Sequence, residues 1–435
     1  MPNQSVSRSG VVIASLALLL GACGTGNDQG VTTGTGTRSG GTVTILGTLT
    51  GVGQEKLEQA IAPFTQATGI EVVYEGTDAF ATLLPVRVEA GNVPDIALFP
   101  QPGLMADLAR EGQLVPIDTF IEPQQLSEYY TQDWLDLGSV DGKVYGIWIR
   151  ADLKSLVWYS PAAFAAAGYA IPTTWDEMLA LSDQIVADGG VPWCLGLESG
   201  DATGWVGTDW IEDIMLRTAG PDVYDQWVRH EIPFNAPVVK TAFEQFGKIA
   251  LNPDYVVGGA VGVISTPFGD APTPLFDQPP GCYLHRQASF ITAFLPDAVE
   301  LGQDVDIFPL PAMTAQSGLP ILVGGIVFGM LNDTPATQAL MAYLATPQPH
   351  TIWAGLGSYI SPHKQVSLDA YPDAITRRQA EILANAEVLR FDGSDLMPGA
   401  VGTGTFWTGM IDYVGGNDID TILAEIEDSW PEENN

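Results

Sequence analysis

Residues 192–210 gather side chains suited to holding a polyhydroxylated molecule: Trp193, Glu198, Ser199, Asp201, Trp205, Asp209 and Trp210. The C–H faces of a pyranose stack on indole, while carboxylates, amides and guanidinium groups bond its hydroxyls. Any one of these tryptophans fits a core equally well, so the grouping carries more weight than its members. A second concentration lies in residues 391–409, FDGSDLMPGAVGTGTFWTG, where Asp395, Phe406 and Trp407 stand among glycines. His285 and Gln287 follow Cys282. A lone histidine serves structure more often than chemistry.

The same residue types serve a glycoside hydrolase, which needs an aromatic cleft and two carboxylates ~5–10 Å apart. Among 52 acidic residues, one such pair tells nothing. The sequence shows no nucleophile elbow and no zinc motif. Its four histidines and few cysteines offer no ligand set at usable spacing. Neither a metal nor a cofactor is expected, and binding is favoured over catalysis. The glycine-rich GTLTGVG of residues 47–53 lacks the Gly-Lys-Ser/Thr of a phosphate loop. It reads as a loop for close approach of a neutral ligand.

Caps and periodicity locate the elements that must carry these groups. Residues 42–46 read as a strand and 70–74 as another. Between them, residues 54–68 place Leu57, Ile61 and Phe64 on one helical face, stopped by Gly69. This βαβ order predicts a parallel, helix-covered sheet. Residues 95–99 add a strand. Ligands of such sheets sit beyond the carboxyl ends of the strands, which selects the loops 47–53, 76–80 and 99–103. Residues 143–159 read as two extended pieces around a charged break at 150–154. Ser160 and Pro161 start a short helix that Gly168 closes, and Thr174 with Glu177 forms a capping box for the next. Further on, 304–311 reads as a return crossing and 323–328 as a strand. Residues 337–343 form a helix, 354–362 a third crossing, and 411–430 a helical end.

A chain of 435 residues suits two or three domains. Its net charge of −35 excludes nucleic acid, whose phosphates need a basic face, and a surface drawn to anionic lipid. So much acid makes a soluble, self-repelling surface. Near the start, Arg8 precedes an apolar run over residues 11–20, too short to span a bilayer. Residues 24–41 are rich in Gly, Thr and Ser and read as a flexible tether. In an exported chain Cys194 and Cys282 are expected to pair as a disulfide.

Asp141-Gly142-Lys143-Val144-Tyr145-Gly146, then Trp158-Tyr159-Ser160, then Pro172-Thr173-Thr174-Trp175-Asp176-Glu177 resemble the segment where ABC transporter substrate-binding proteins cross between their lobes. Ile147 and Ser160 depart from the family's usual Pro and Asn. Residues 63–72, 91–95 and 114–118 are similar to further family motifs. The resemblance implies an α/β, two-lobe periplasmic-binding-protein fold (type II-like). Each lobe would be a mostly parallel sheet flanked by helices, joined to the other by several crossing segments. It implies a first lobe of residues 42–150 plus 304–354 and a second of 151–303 plus 355–435. Leu20-Gly21-Ala22-Cys23 resembles a lipobox, which implies a signal peptide over 1–22, lipidation at Cys23 and a tether over 23–41 outside the cytoplasm.

Residues 193–200, 208–213, 281–290 and 391–398 resemble most the α-glucoside-binding members of the sugar-binding branch. The resemblance implies a non-catalytic protein that captures an α-glucoside or oligosaccharide by hinge closure and hands it to membrane permease subunits, acting as a monomer. Loop position and chemistry then give the candidate contacts. Phe99, Trp205 and Trp407 would stack, and Arg150, Glu198, Asp209, His285, Gln287 and Asp395 would bond hydroxyls. Gln101, Trp148, Trp210, Gly324, Tyr359 and Phe406 complete the set. A peptide, phosphate or iron ligand stays open on the same fold, as does a polyamine, which the acid excess would permit. The tryptophan content favours sugar.

Overall fold

A computed structural model describes residues 40–313 and 319–431. The expected signal peptide, Cys23 and most of the tether lie outside the described residues. The strands, in chain order, are β1 (Gly41–Gly47), β2 (Ile70–Gly76), β3 (Ile96–Phe99), β4 (Ser139–Val140), β5 (Lys143–Val144), β6 (Gly146–Leu153), β7 (Leu156–Tyr159), β8 (Leu284–Arg286), β9 (Asp306–Pro309), β10 (Ile321–Met330) and β11 (Leu389–Phe391). The larger sheet runs β11-β10-β3-β1-β2, with β6 also paired to β10. In it β1 is parallel to β2 and β3, as the βαβ reading requires, and β10 is antiparallel to β3 and β6. A smaller sheet, β8-β7-β9, belongs to the second lobe, and both of its pairs are antiparallel. Parallel pairing therefore describes the first lobe better than the second.

The local signals act as expected. Ser160 accepts from the Ala163 N–H to cap the helix Pro161–Ala167, and Gly168 closes it at φ 74°. Thr174 and Glu177 make a complete capping box on the helix Trp175–Ala187, which buries Trp175, Met178, Leu181 and Ile185. β10 is buried along its whole length. Sheet faces covered on both sides produce such unbroken apolar runs. No helix among the described residues is long and apolar enough to cross a membrane.

Two cores form. Val43, Ile45, Leu98 and Phe328 anchor one beneath the larger sheet, and Trp193, Trp210, Ile214, Phe243 and Phe406 anchor the other. The lobe limits drawn above stand as a proposal with adjustments: β6 pairs with β10 and carries the first lobe on to Leu153, and β9 pairs with β7, which puts residues 306–309 in the second lobe. Tyr359, Ile360, Tyr371 and Ile375 pack in the first core, and β11 pairs with β10, so we place residues 359–391 in the first lobe. Residues 391–409 are not a loop. They hold the helix Gly393–Leu396, a wide turn over Val401–Thr405 and the start of the helix Phe406–Val414. Glycines that favour loops in isolation are tolerated here because packing needs them: a Cβ at Gly402 would meet the Ser394 carbonyl at 1.9 Å.

Among the described residues, three places join the cores: Lys154-Ser155 between β6 and β7, Leu310 with the start of β10, and the turn after β11. They are bonded to one another. The Lys154 N–H donates to Leu322 O (2.8 Å) and the Leu310 N–H to Ser155 O (2.9 Å). The Leu322 N–H donates to Ser155 Oγ (2.8 Å), whose hydroxyl donates to Asp213 Oδ1 (2.8 Å).

Cys194 and Cys282 form the expected disulfide across a sequence separation of 88. Both ends are buried, so the bond closes a long loop of the second lobe. Reducing it, or replacing both residues by Ala, is expected to lower stability by ~2–4 kcal/mol. Urea unfolding with and without reductant measures this; coincident curves would contradict it.

Candidate functional site

The helix Trp205–Thr218 runs behind all three passages and presents Asp209, Glu212, Asp213 and Arg217 to them, spaced by three, one and four residues. All four are buried. Lys154, from the first passage, donates to Asp209 Oδ1 (2.8 Å) and to Asp392 Oδ2. Glu212 accepts from the Gly393 and Ser394 N–H groups at 2.9 and 3.0 Å. Arg217 donates to Leu310 O (3.0 Å) and to Asp213. Arg286, on β8, donates to Asp209 O (2.9 Å) and Asp213 Oδ2 (3.1 Å).

Burial pushes the carboxyls of Glu212 and Asp395 well above the usual range, and the Asp392 charge adds to it. Burial also pushes Asp209 up, against the pull of Lys154. Asp392 goes the other way: its burial is outweighed by the Lys154 ammonium, and its carboxyl sits at about 2. Asp209, Asp213 and Asp392 form ion pairs with Lys154, Arg217 and Arg286. Asp209, Glu212 and Asp392 bring ligand atoms within 4.8 Å of one another, a spacing a metal ion could use. The Lys154 ammonium already serves as their cation.

In front of this cluster lies a cavity of about 610 Å³. That is within the roughly 300–1,000 Å³ of small-molecule sites. Thr48, Leu49 and Thr50, with the opening turn of the helix Gly51–Thr68, Asp78 and Gln101, line it from the first lobe. Glu198, Trp205, Phe268, Phe290, Phe294 and Trp407 line it from the second. The Trp205 ring meets Phe268 edge-on at 5.2 Å, with Lys154 Nζ 5.6 Å from the ring centre. The Arg150 guanidinium lies 5.4 Å from the Phe290 ring and donates twice to Asp152, at 3.0 and 2.9 Å. Lys56 donates to Gly357 O (3.0 Å). Each of these cations is thus already engaged. At the mouth the two lobes touch: Thr82 Oγ1 donates to Asp201 Oδ2 at 3.2 Å, and Gly200, at φ +56°, abuts Asp78.

Of the residues expected at the site, Gln101, Arg150, Glu198, Trp205, Asp209, Asp395 and Trp407 line this cavity, as do the anticipated glycine-rich loop and Asp78. The others do not. Phe99 packs edge-on against Phe80, and Trp148 packs between Trp134 and Phe391. Trp210 and Phe406 are core, the first against Trp193 and Phe246, the second against Trp227 and Phe234. His285 donates from Nδ1 to Cys194 O at 2.9 Å, and burial lowers its pKa to about 4, so it is a neutral structural group. The Gln287 side chain turns back to accept from the Ala288 N–H (2.7 Å). Tyr359 donates to Ile149 O (2.5 Å), leaving Ser358 on the cavity. Gly324 backs onto Lys154, and Gly325 takes the lining position.

Sequence reasoning missed Lys154 and Asp392 at the cavity wall, and the phenylalanines 268, 290 and 294. The lysine stood in a stretch read only as a charged break. The phenylalanines sit on short turns, where no periodicity marks a face.

The sequence pattern of the bacterial extracellular solute-binding protein family matches residues 49–350. The osmoprotective compounds-binding protein GgtB of Synechocystis sp. is 62% identical over 389 residues, covering 89% of this chain and 92% of that one. The alpha-glucosides-binding periplasmic protein AglE of Rhizobium meliloti is 43% identical over 399 residues, covering 90% and 87%. Among solved structures, the bacterial solute receptor AcbH superposes with a TM-score of 0.77 at 18% identity, over 89% of this chain and 97% of that one. A chitin oligosaccharide binding protein gives 0.76 at 18%, over 89% and 97%.

Proposed function

This chain belongs to the bacterial extracellular solute-binding protein family, and from that premise we propose that it captures a neutral α-glucoside or related polyol between its lobes. The observation that carries the reading is the cavity wall: aromatic faces on the second lobe, with every lining cation engaged by the protein itself. Arg150 and Lys154 are paired with Asp152, Asp209 and Asp392, which leaves Lys56, bonded to the Gly357 carbonyl, as the lining cation without an acidic partner among the described residues. A neutral guest loses little by leaving water and gains stacking on indole and phenyl faces. GgtB and AglE, by their names, bind osmoprotective compounds and alpha-glucosides, and the second of these classes fits this chemistry.

The working cycle we propose is closure on the solute, which favours the closed form because it contacts both lobes, followed by delivery to permease subunits. A lipid on Cys23 would keep the monomer at the outer face of the cell membrane. Catalysis forms no part of this reading. Calorimetric titration with trehalose, maltose, sucrose and spermidine tests the ligand class. Binding tighter than millimolar to at least one of the sugars is expected. Tight spermidine binding with no response to any sugar would replace the sugar reading with a polyamine one, which the acids Asp78 and Glu198 at the cavity make the second choice.

A further inference from the structure

Both lobes are acidic. Acids outnumber bases more than twofold over residues 40–153 and 321–391, and more than fourfold over 154–309 and 392–431. Two bodies of like charge repel, so hinge closure works against the protein's own field. The opposition is sharpest at the mouth, where carboxylates from both lobes surround Gly200. From the first lobe comes Asp78, whose carboxylate a Cβ at Gly200 would strike. From the second, Glu198 Oε1 accepts from the Gly200 N–H at 2.8 Å, and Asp201 follows in the chain. Asp78 and Asp201 are exposed, and Glu198 is partly buried. None of the three has a basic partner among the described residues. The cations of the cavity do not offset them. Arg150 and Lys154 are already paired, and Lys56 sits on the Gly357 carbonyl of its own lobe.

We propose that ionic strength gates the cleft: in dilute salt the facing carboxylates of Asp78, Glu198 and Asp201 hold the lobes apart, and added salt screens them and strengthens capture. The inference rests on the closure reading above and deepens it, because it names what regulates closure. The carboxylates bind nothing in this role; they act through their field. The distance over which charges feel one another falls from ~30 Å at 0.01 M salt to ~10 Å at 0.1 M and ~3 Å at 1 M. In dilute salt the charge of each whole lobe reaches the other, whereas in strong salt only touching groups interact. A neutral guest carries no charge to be screened, so the salt dependence of its affinity reports on the lobes alone. Receptors that attract a charged ligand weaken as salt rises. This one should tighten.

The test titrates trehalose, maltose and sucrose into the full chain at fixed pH, in ~10 mM and ~500 mM sodium chloride. The tightest binder is expected to gain about threefold in affinity in the stronger salt. The double variant Asp78→Asn with Asp201→Asn keeps side-chain size and removes one charge from each side of the mouth. Both positions are exposed, so its melting should stay within a few degrees of the wild type. It is expected to bind more tightly than the wild type in dilute salt and to keep less than half of the gain. Salting-out of apolar surface would tighten both proteins alike. Equal gains in the two proteins therefore overturn the gate, as does a wild-type affinity that salt leaves unchanged or weakens. Either of those results leaves the solute reading standing. Failure of the wild type to bind any of the three sugars in either salt overturns both.

Discussion

Replacing Lys154 with Met is expected to lower folding stability by ~3–5 kcal/mol, the largest loss from any single substitution considered for this protein. The cause is stranded charge. Lys154 is the shared cation of Asp209 and Asp392, and all three are buried. Methionine matches the shape of the lysine stem but leaves both carboxyls without their ammonium. Asp392 feels this most, because the lysine is what holds its carboxyl down at about 2 against its own burial. Urea unfolding by tryptophan fluorescence measures the loss. A companion variant, Lys154→Met with Asp392→Asn, removes a negative charge along with the positive one and should recover much of the stability. If the double variant is as unstable as the two single losses added together, packing rather than charge explains the effect.

Trp205→Ala is expected to weaken solute binding by about 100-fold, with a smaller effect on folding. The indole is only half-buried, it lines the cavity, and Phe268 holds it edge-on. Large aromatic anchors of this kind dominate binding when they are truncated. Trp205→Phe should retain affinity within about tenfold, since a ring face remains. Calorimetry against the best-binding sugar separates the two. Affinity that survives Trp205→Ala would move the stacking role to the neighbouring Phe268 and Phe290.

The helix starts at Ser160 and Thr174 and the first βαβ unit were legible because caps and periodicity are local. The site was legible as a set of loops but not side chain by side chain. In three places the expected set included the residue next to a lining one: Gly324 beside Gly325, Tyr359 beside Ser358, Phe406 beside Trp407. Neighbours on the strand β10 face opposite sides of the sheet, and neighbours on the helix Phe406–Val414 point about 100° apart, so a shift of one exchanges core for cavity. Nothing local records which neighbour faces the cavity; packing such as that of Tyr359 on the Ile149 carbonyl decides it. The acidic and basic stripe of residues 209, 212, 213 and 217 shows a helical spacing, but a charged stripe usually marks a solvated face. Here three chain passages cover it, a fact of tertiary structure alone.

The bridge between Thr82 and Asp201 at the mouth is exposed, and a hydrogen bond in such a place contributes ~1 kcal/mol at most. So weak a fastening cannot trap a guest. It delays arrivals and departures about equally, and the dwell time of the captured molecule is left to what it touches further in. A receptor that must surrender its cargo on docking gains from that arrangement: the door opens readily once the grip behind it loosens.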